Sequence, residues 1–233
     1  KLAGMPLYSL LGGKAREGVT VYRHADGGCL EEVKECISQY IEEGYRHIRC
    51  HMGTYGGNFD GKRQQMVKPE GAPEGAYFHP KMYMDSVIRL FEQVRKDFGW
   101  ELEVMHDVHE RLSLADTLAF TKELEPFKLF FLEDSLAPDQ VGYYKYLREQ
   151  TAVPFAMGEL FTNPAEWKTI IQNQWIDFIR VHLSDIGGVP PAVKLAHFCD
   201  AYGVRTAWHG PNDLSPIGMC AQMHLDLNSH NFG

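Results

Sequence analysis

Three apolar runs in this chain each end in a carboxylate: LEVMHD at Asp107, LFFLE at Glu133 and PFAMGE at Glu159, spaced 26 residues apart both times. Between them lie amphipathic stretches long enough for one helix each. Short apolar strands alternating with helices are the pattern of βαβ units and a parallel sheet. In such sheets the chemistry gathers where the strands end at their carboxyl edge. Three acids at the ends of successive strands would point into one space. Like charges so placed repel unless a cation neutralises them, and hard oxygen donors suit Mg²⁺. The spacing therefore predicts a divalent-metal site at Asp107, Glu133 and Glu159.

Other residue types cluster at the same predicted edge. Arg49 and His51 alternate along a strand over HIRCHMG (47–53), His109 lies two residues past Asp107, and His209 closes a short run, RTAWHG. Side chains alternate along a strand, so Arg49 shares a face with His51, and Asp107 with His109. His106 falls on the opposite face and reads as structural. Arg49 has a plainer reading as the ion-pair partner of a neighbouring acid, and Tyr55 as a packing residue. HDVHE has the look of a zinc motif, but as a strand it splits its histidines between two faces. Acids, imidazoles and a guanidinium together suit a metal working with proton transfer.

The elements that must hold these residues follow in order. KLAGMPLYSLLGGK makes a short lead-in helix (within 1–18), VTVYRHA (19–25) a first strand and LEEVKECISQYIEEG (30–44) a helix ending at Gly44. Residues 54–75 are polar, glycine-rich and aperiodic, the pattern of an active-site loop. PKMYMDSVIRLFEQVRKDFG (80–99) is a helix with Pro80 near its start. Continued to the end, the alternation gives seven strand–helix units. It favours a single TIM-type (β/α) barrel domain over residues 1–233, with a doubly wound open sheet as the rival.

Composition narrows the function. The chain has 233 residues, 44% of them hydrophobic, near the size of one barrel domain of about 250. A net charge of −8 argues against nucleic acid or an anionic membrane as partner. No apolar run reaches the roughly 18 residues of a membrane span. Five cysteines without a CxxC pair suggest reduced thiols in a cytoplasmic protein.

PLYSLLGGKAREGV, HDVHERLS, FFLEDS, GELF, QWIDFIRVHLSDIGG and WHGPNDLSP together resemble the enolase superfamily, and within it the mannonate dehydratase group, which includes proteins named for starvation sensing. The resemblance implies a modified (β/α)7β barrel, with a capping domain before Lys1 and a last strand beyond Gly233. It makes Asp107, Glu133 and Glu159 the Mg²⁺ ligands, Tyr55 the base assisted by Arg49, His109 the acid, and His209 an active-site histidine. His51, Pro211 and Asp213 would line the substrate pocket, with Pro211 standing where mannonate-active relatives have alanine. Strand six offers His182 where related enzymes place an aspartate behind the histidine of strand seven. The implied reaction removes the α-proton and 3-hydroxyl of an acid sugar of the D-mannonate or D-gluconate type, giving a 2-keto-3-deoxy acid. The alternatives are a racemase or cycloisomerase on the same scaffold, or a weak or inactive homologue that binds a sugar acid in regulation. Barrels of this kind also commonly assemble as homo-oligomers.

Overall fold

A computed structural model describes residues 2–53, 70–71, 78–210 and 214–233. In chain order it contains α1 (Leu7–Leu10), β1 (Tyr22–Gly27), α2 (Leu30–Glu42), β2 (His47–Met52), α3 (Pro80–Phe98), β3 (Glu103–Asp107), α4 (Leu114–Leu124) and β4 (Phe131–Glu133). It continues through α5 (Tyr144–Gln150), β5 (Phe155–Met157), α6 (Pro164–Gln172), β6 (Phe178–Ile179), α7 (Val189–Ala201), β7 (Arg205–Thr206) and α8 (Pro216–Asn228). The strands form a seven-stranded sheet in chain order, β1 to β7. The helix–strand alternation read from the sequence is the one observed.

The chain divides into two compact units. One comprises Val21–Leu136 with Glu149–Val153 and carries β1 to β4. Its strands pair in parallel, with Arg49 beside Met105 and Asp107 beside Glu133. On β2, Ile48, Cys50 and Met52 are buried while His47, Arg49 and His51 are half-buried, so Arg49 and His51 do share a face. On α3 the buried residues Tyr83, Val87, Leu90, Phe91 and Val94 recur every three or four positions, one stripe of a helix. His79 accepts a hydrogen bond from the Met82 amide at its start, Pro80 opens its first turn, and Gly99 at φ 72° ends it. Ser113 caps α4 in the same way through the Asp116 amide.

The other unit comprises Lys1–Thr20, Ala137–Arg148 and Pro154–Gly233 and carries β5 to β7. Asn163 and Glu166 form a capping box at the start of α6, with Pro164 in its first turn. Arg148 pairs with Asp177, whose carboxylate also accepts the Phe155 amide at 2.7 Å and ties α5 to the start of β5. Arg16 donates to the carbonyls of Ser229 and His230 just past α8, at 2.7 and 3.2 Å, and fixes the lead-in segment there. Phe232 pairs in parallel with Thr206, so the chain after α8 returns beside β7.

Candidate functional site

The end of β3 is built from a strand and a tight turn. Asp107 is the last strand residue, 3% exposed, and its partner across the ladder, Glu133, is 0% exposed. Beyond Asp107 the chain leaves the extended conformation: His109 and Glu110 take positive φ of 53° and 63°. That turn is held by Val108 N–H donating to Glu133 O at 3.0 Å and Glu110 N–H to Asp134 O at 2.8 Å. His109 therefore reaches Asp107 by the turn rather than by strand alternation. Its amide donates to Asp107 Oδ1 at 2.8 Å, and its Nδ1 lies 3.5 Å from Oδ2.

Arg49 approaches from β2 and donates through Nη1 to Asp107 Oδ2 at 3.1 Å. Both readings of Arg49 meet here, since it pairs with an acid that is itself a candidate ligand. Burial would raise the Asp107 pKa, but the His109 hydrogen bond and the Arg49 charge overcome it and hold the group at about 2. For Arg49, burial works against the charged form, and the fields of Asp107 and Glu133 outweigh it. Asp26, one residue before the end of β1 and beside His51, is exposed by its accessible area; partial desolvation pushes its pKa up and Arg49 draws it down. Sequence reasoning did not place Asp26 near this edge; the signal was the acid that follows the VTVYRHA run.

His51 keeps the predicted face but not a charge. Burial, then His106 and Arg49, lower its pKa to about 3, so it is a neutral imidazole at ordinary pH. His106 is structural, as its strand face predicts. Its Nδ1 meets the Cys50 carbonyl at 2.9 Å and its Nε2 the Tyr83 hydroxyl at 2.7 Å. A carbonyl only accepts, so Nδ1 carries the proton and Nε2 accepts from Tyr83.

Glu159 and His209 belong to the other unit. Strand β5 stops at Met157, and Gly158 at φ 138° turns the chain before Glu159. A Cβ on Gly158 would come within 3.2 Å of the Arg180 backbone, so only glycine fits the turn that places Glu159. Glu159 thus lies two residues past its strand instead of ending it. His209 is held by its amide on Val181 O at 3.1 Å and by Gln222 Nε2 donating to its carbonyl at 2.6 Å. Its Nε2 is 3.4 Å from Glu159 Oε2, and its Nδ1 is 2.9 Å from His182 Nε2. The strand-six position without an aspartate thus still contacts His209, through an imidazole. Tyr55, Pro211 and Asp213, and the loop over 54–75 save Glu70 and Gly71, lie outside the described residues.

Parallel strands with buried carboxylates, an arginine and histidines near their ends define an α/β protein with its ionisable groups gathered at the carboxyl edge of the strands. The chain belongs to the family described as enolase C-terminal domain-like, whose pattern matches residues 32–233. A relative from Enterocloster bolteae, named as a D-galactonate dehydratase family member, is 98% identical over 233 residues, which is 58% of its own length. One from Musicola paradisiaca, named in the same way, is 49% identical over 246 aligned residues that cover this whole chain and 59% of that relative. A crystal structure of an enolase from Pantoea ananatis, with bound D-gluconate and Mg, superposes with a TM-score of 0.93 at 47% identity. It covers 100% of this chain and 59% of that one. The two relatives' names carry the galactonate label, where the sequence motifs resemble the mannonate dehydratase group.

Proposed function

We propose that the protein containing this chain is a Mg²⁺-dependent acid-sugar dehydratase, with Asp107, Glu133 and Glu159 as the metal ligands. The observation that carries this reading is the ladder pair Asp107–Glu133, two buried carboxylates side by side at the ends of adjacent strands. The fields of both carboxylates act on Arg49, and a divalent cation bound between like charges so close would offset their repulsion. The donors are carboxylate oxygens, the set a hard ion selects. The names of the galactonate dehydratase relatives and the D-gluconate and Mg bound by the Pantoea ananatis enolase support the same reaction class.

When bound, Mg²⁺ would neutralise the carboxylate of the acid sugar and stabilise the charge left as the α-proton departs. Arg49 holds Asp107 ionised and in place; the base is Tyr55, which lies outside the described residues and whose ionised form a guanidinium would favour. His109, whose backbone N–H donates a hydrogen bond to Asp107, would donate a proton to the departing 3-hydroxyl. His209 orients the substrate from the side of Glu159. Loss of water then yields a 2-keto-3-deoxy acid.

The test is a screen of the purified full-length protein against D-gluconate, D-mannonate, D-galactonate and related acids, with and without Mg²⁺, scoring 2-keto-3-deoxy product. Mg²⁺-dependent product from at least one acid is expected. Tight binding of an acid sugar without turnover would favour the regulatory homologue, and epimerised product the racemase reading.

A further inference from the structure

We infer that Glu159, His182 and His209 form a second cation site, selective for a borderline divalent ion of the Zn²⁺ or Co²⁺ type. One donor atom from each residue lies within 4.8 Å of the other two. His182 Nε2 and His209 Nδ1 are already 2.9 Å apart, and the other His209 nitrogen, Nε2, stands 3.4 Å from Glu159 Oε2, which sets the carboxylate beside the ring without being a second donor separation of the same ion. An ion bound tetrahedrally at about 2.0 Å keeps its donors about 3.3 Å from one another. Closing the widest separation therefore takes at most about 1.5 Å of side-chain movement. Each ring gives one nitrogen, so the set is two imidazoles and one carboxylate with the fourth position left for water, a donor set characteristic of Zn²⁺. Mg²⁺ prefers oxygen donors and an octahedral shell, and so discriminates against it.

The scaffold is suited to the task. His182 and His209 sit opposite each other in a parallel backbone bridge, and α8 braces His209 through Gln222. The Glu159 side chain is 20% exposed, which admits a hydrated ion. Among the described residues the His182 side chain makes one hydrogen bond, to His209, and its Nδ1 is buried without a partner. The proton between the rings can move to that Nδ1 when Nε2 takes the metal, so two neutral imidazoles bind without releasing a proton. The shared Glu159 has a consequence that rests on the proposed Mg²⁺ role: the two ions exclude one another, and the softer one would inhibit.

The site is tested on the full-length protein by titrating Co²⁺ without Mg²⁺, following the visible absorption bands of a histidine-bound ion, with Zn²⁺ calorimetry alongside. One equivalent should bind, and His182→Gln should weaken it at least tenfold while Mg²⁺ affinity and far-UV dichroism stay unchanged. His182→Asn serves the same comparison if glutamine disturbs the fold. Glu133→Gln should keep Co²⁺ binding even as Mg²⁺ binding is lost. The inference is overturned if Co²⁺ is not taken up, if both His182 variants fold and bind it as tightly as wild type, or if its binding disappears with Glu133. Saturating Mg²⁺ should weaken Co²⁺ binding at least fivefold. Co²⁺ binding that needs His182 but ignores Mg²⁺ would support the site and overturn the assignment of Glu159 to Mg²⁺.

Discussion

Asp226 offers a stability test that is independent of any ligand. It lies on α8, 9% exposed, and burial raises its pKa from 3.8 to about 7. Arg16 and the Trp208 Nε1–H pull the other way, but among the described residues Trp208 Nε1 and Asp226 Oδ1 both lack a partner at hydrogen-bond geometry, so the offset is partial. The folded state thus holds its proton to higher pH than the unfolded chain. Between pH 3.8 and about 7 the unfolded chain has released that proton and the folded one has not, so stability falls as pH rises and levels off above 7. At about 1.36 kcal/mol for each pH unit, the ionised group costs at most about 4 kcal/mol at pH 8. Asp226→Asn keeps the shape and removes the charge, so it should stabilise the fold by about 2 kcal/mol at pH 8, allowing for relaxation around the carboxylate. The gain should shrink by pH 5 and vanish near pH 4. Urea denaturation of wild type and variant at pH 8, 5 and 4 reads it directly. A gain that does not change with pH, or a loss at pH 8, would refute the reasoning and show that Arg16 stabilises the ionised carboxylate.

Two further outcomes follow from buried and capping hydrogen bonds. Tyr83→Phe removes the hydroxyl that His106 Nε2 accepts and leaves a buried acceptor unmet, at a cost of about 1 to 3 kcal/mol in denaturation midpoint analysis; no loss would mean that water replaces it. Asn163→Ala, which breaks the capping box of α6, should cost about 1 kcal/mol by the same measurement, with Asn163→Ser retaining most of it.

Much of the site was legible because strands impose a period of two. Arg49 shares a face with His51, His106 turns toward α3, and Asp107 ends its strand, each as the alternation requires. The rule fails where the strand stops. His109 lies in a left-handed turn, and its contact with Asp107 comes from that turn. Glu159 is set by the glycine before it, whose conformation no hydrophobic pattern encodes. Strands β6 and β7 keep regular geometry over two residues each, and the contact between His182 and His209 arises from an isolated bridge beyond them. Non-local pairing of this kind has no signature in a single segment, so the contact between the two imidazoles could not be read from the strand-six position alone.

The direct test of the central claim is calorimetric titration of Mg²⁺ into the full-length protein and into Asp107→Asn, Glu133→Gln and Glu159→Gln, each checked for intact fold by circular dichroism. One Mg²⁺ per chain should bind the wild type, and each substitution should weaken it at least a hundredfold. Folded variants that bind Mg²⁺ as tightly as the wild type would place the metal elsewhere and contradict the account.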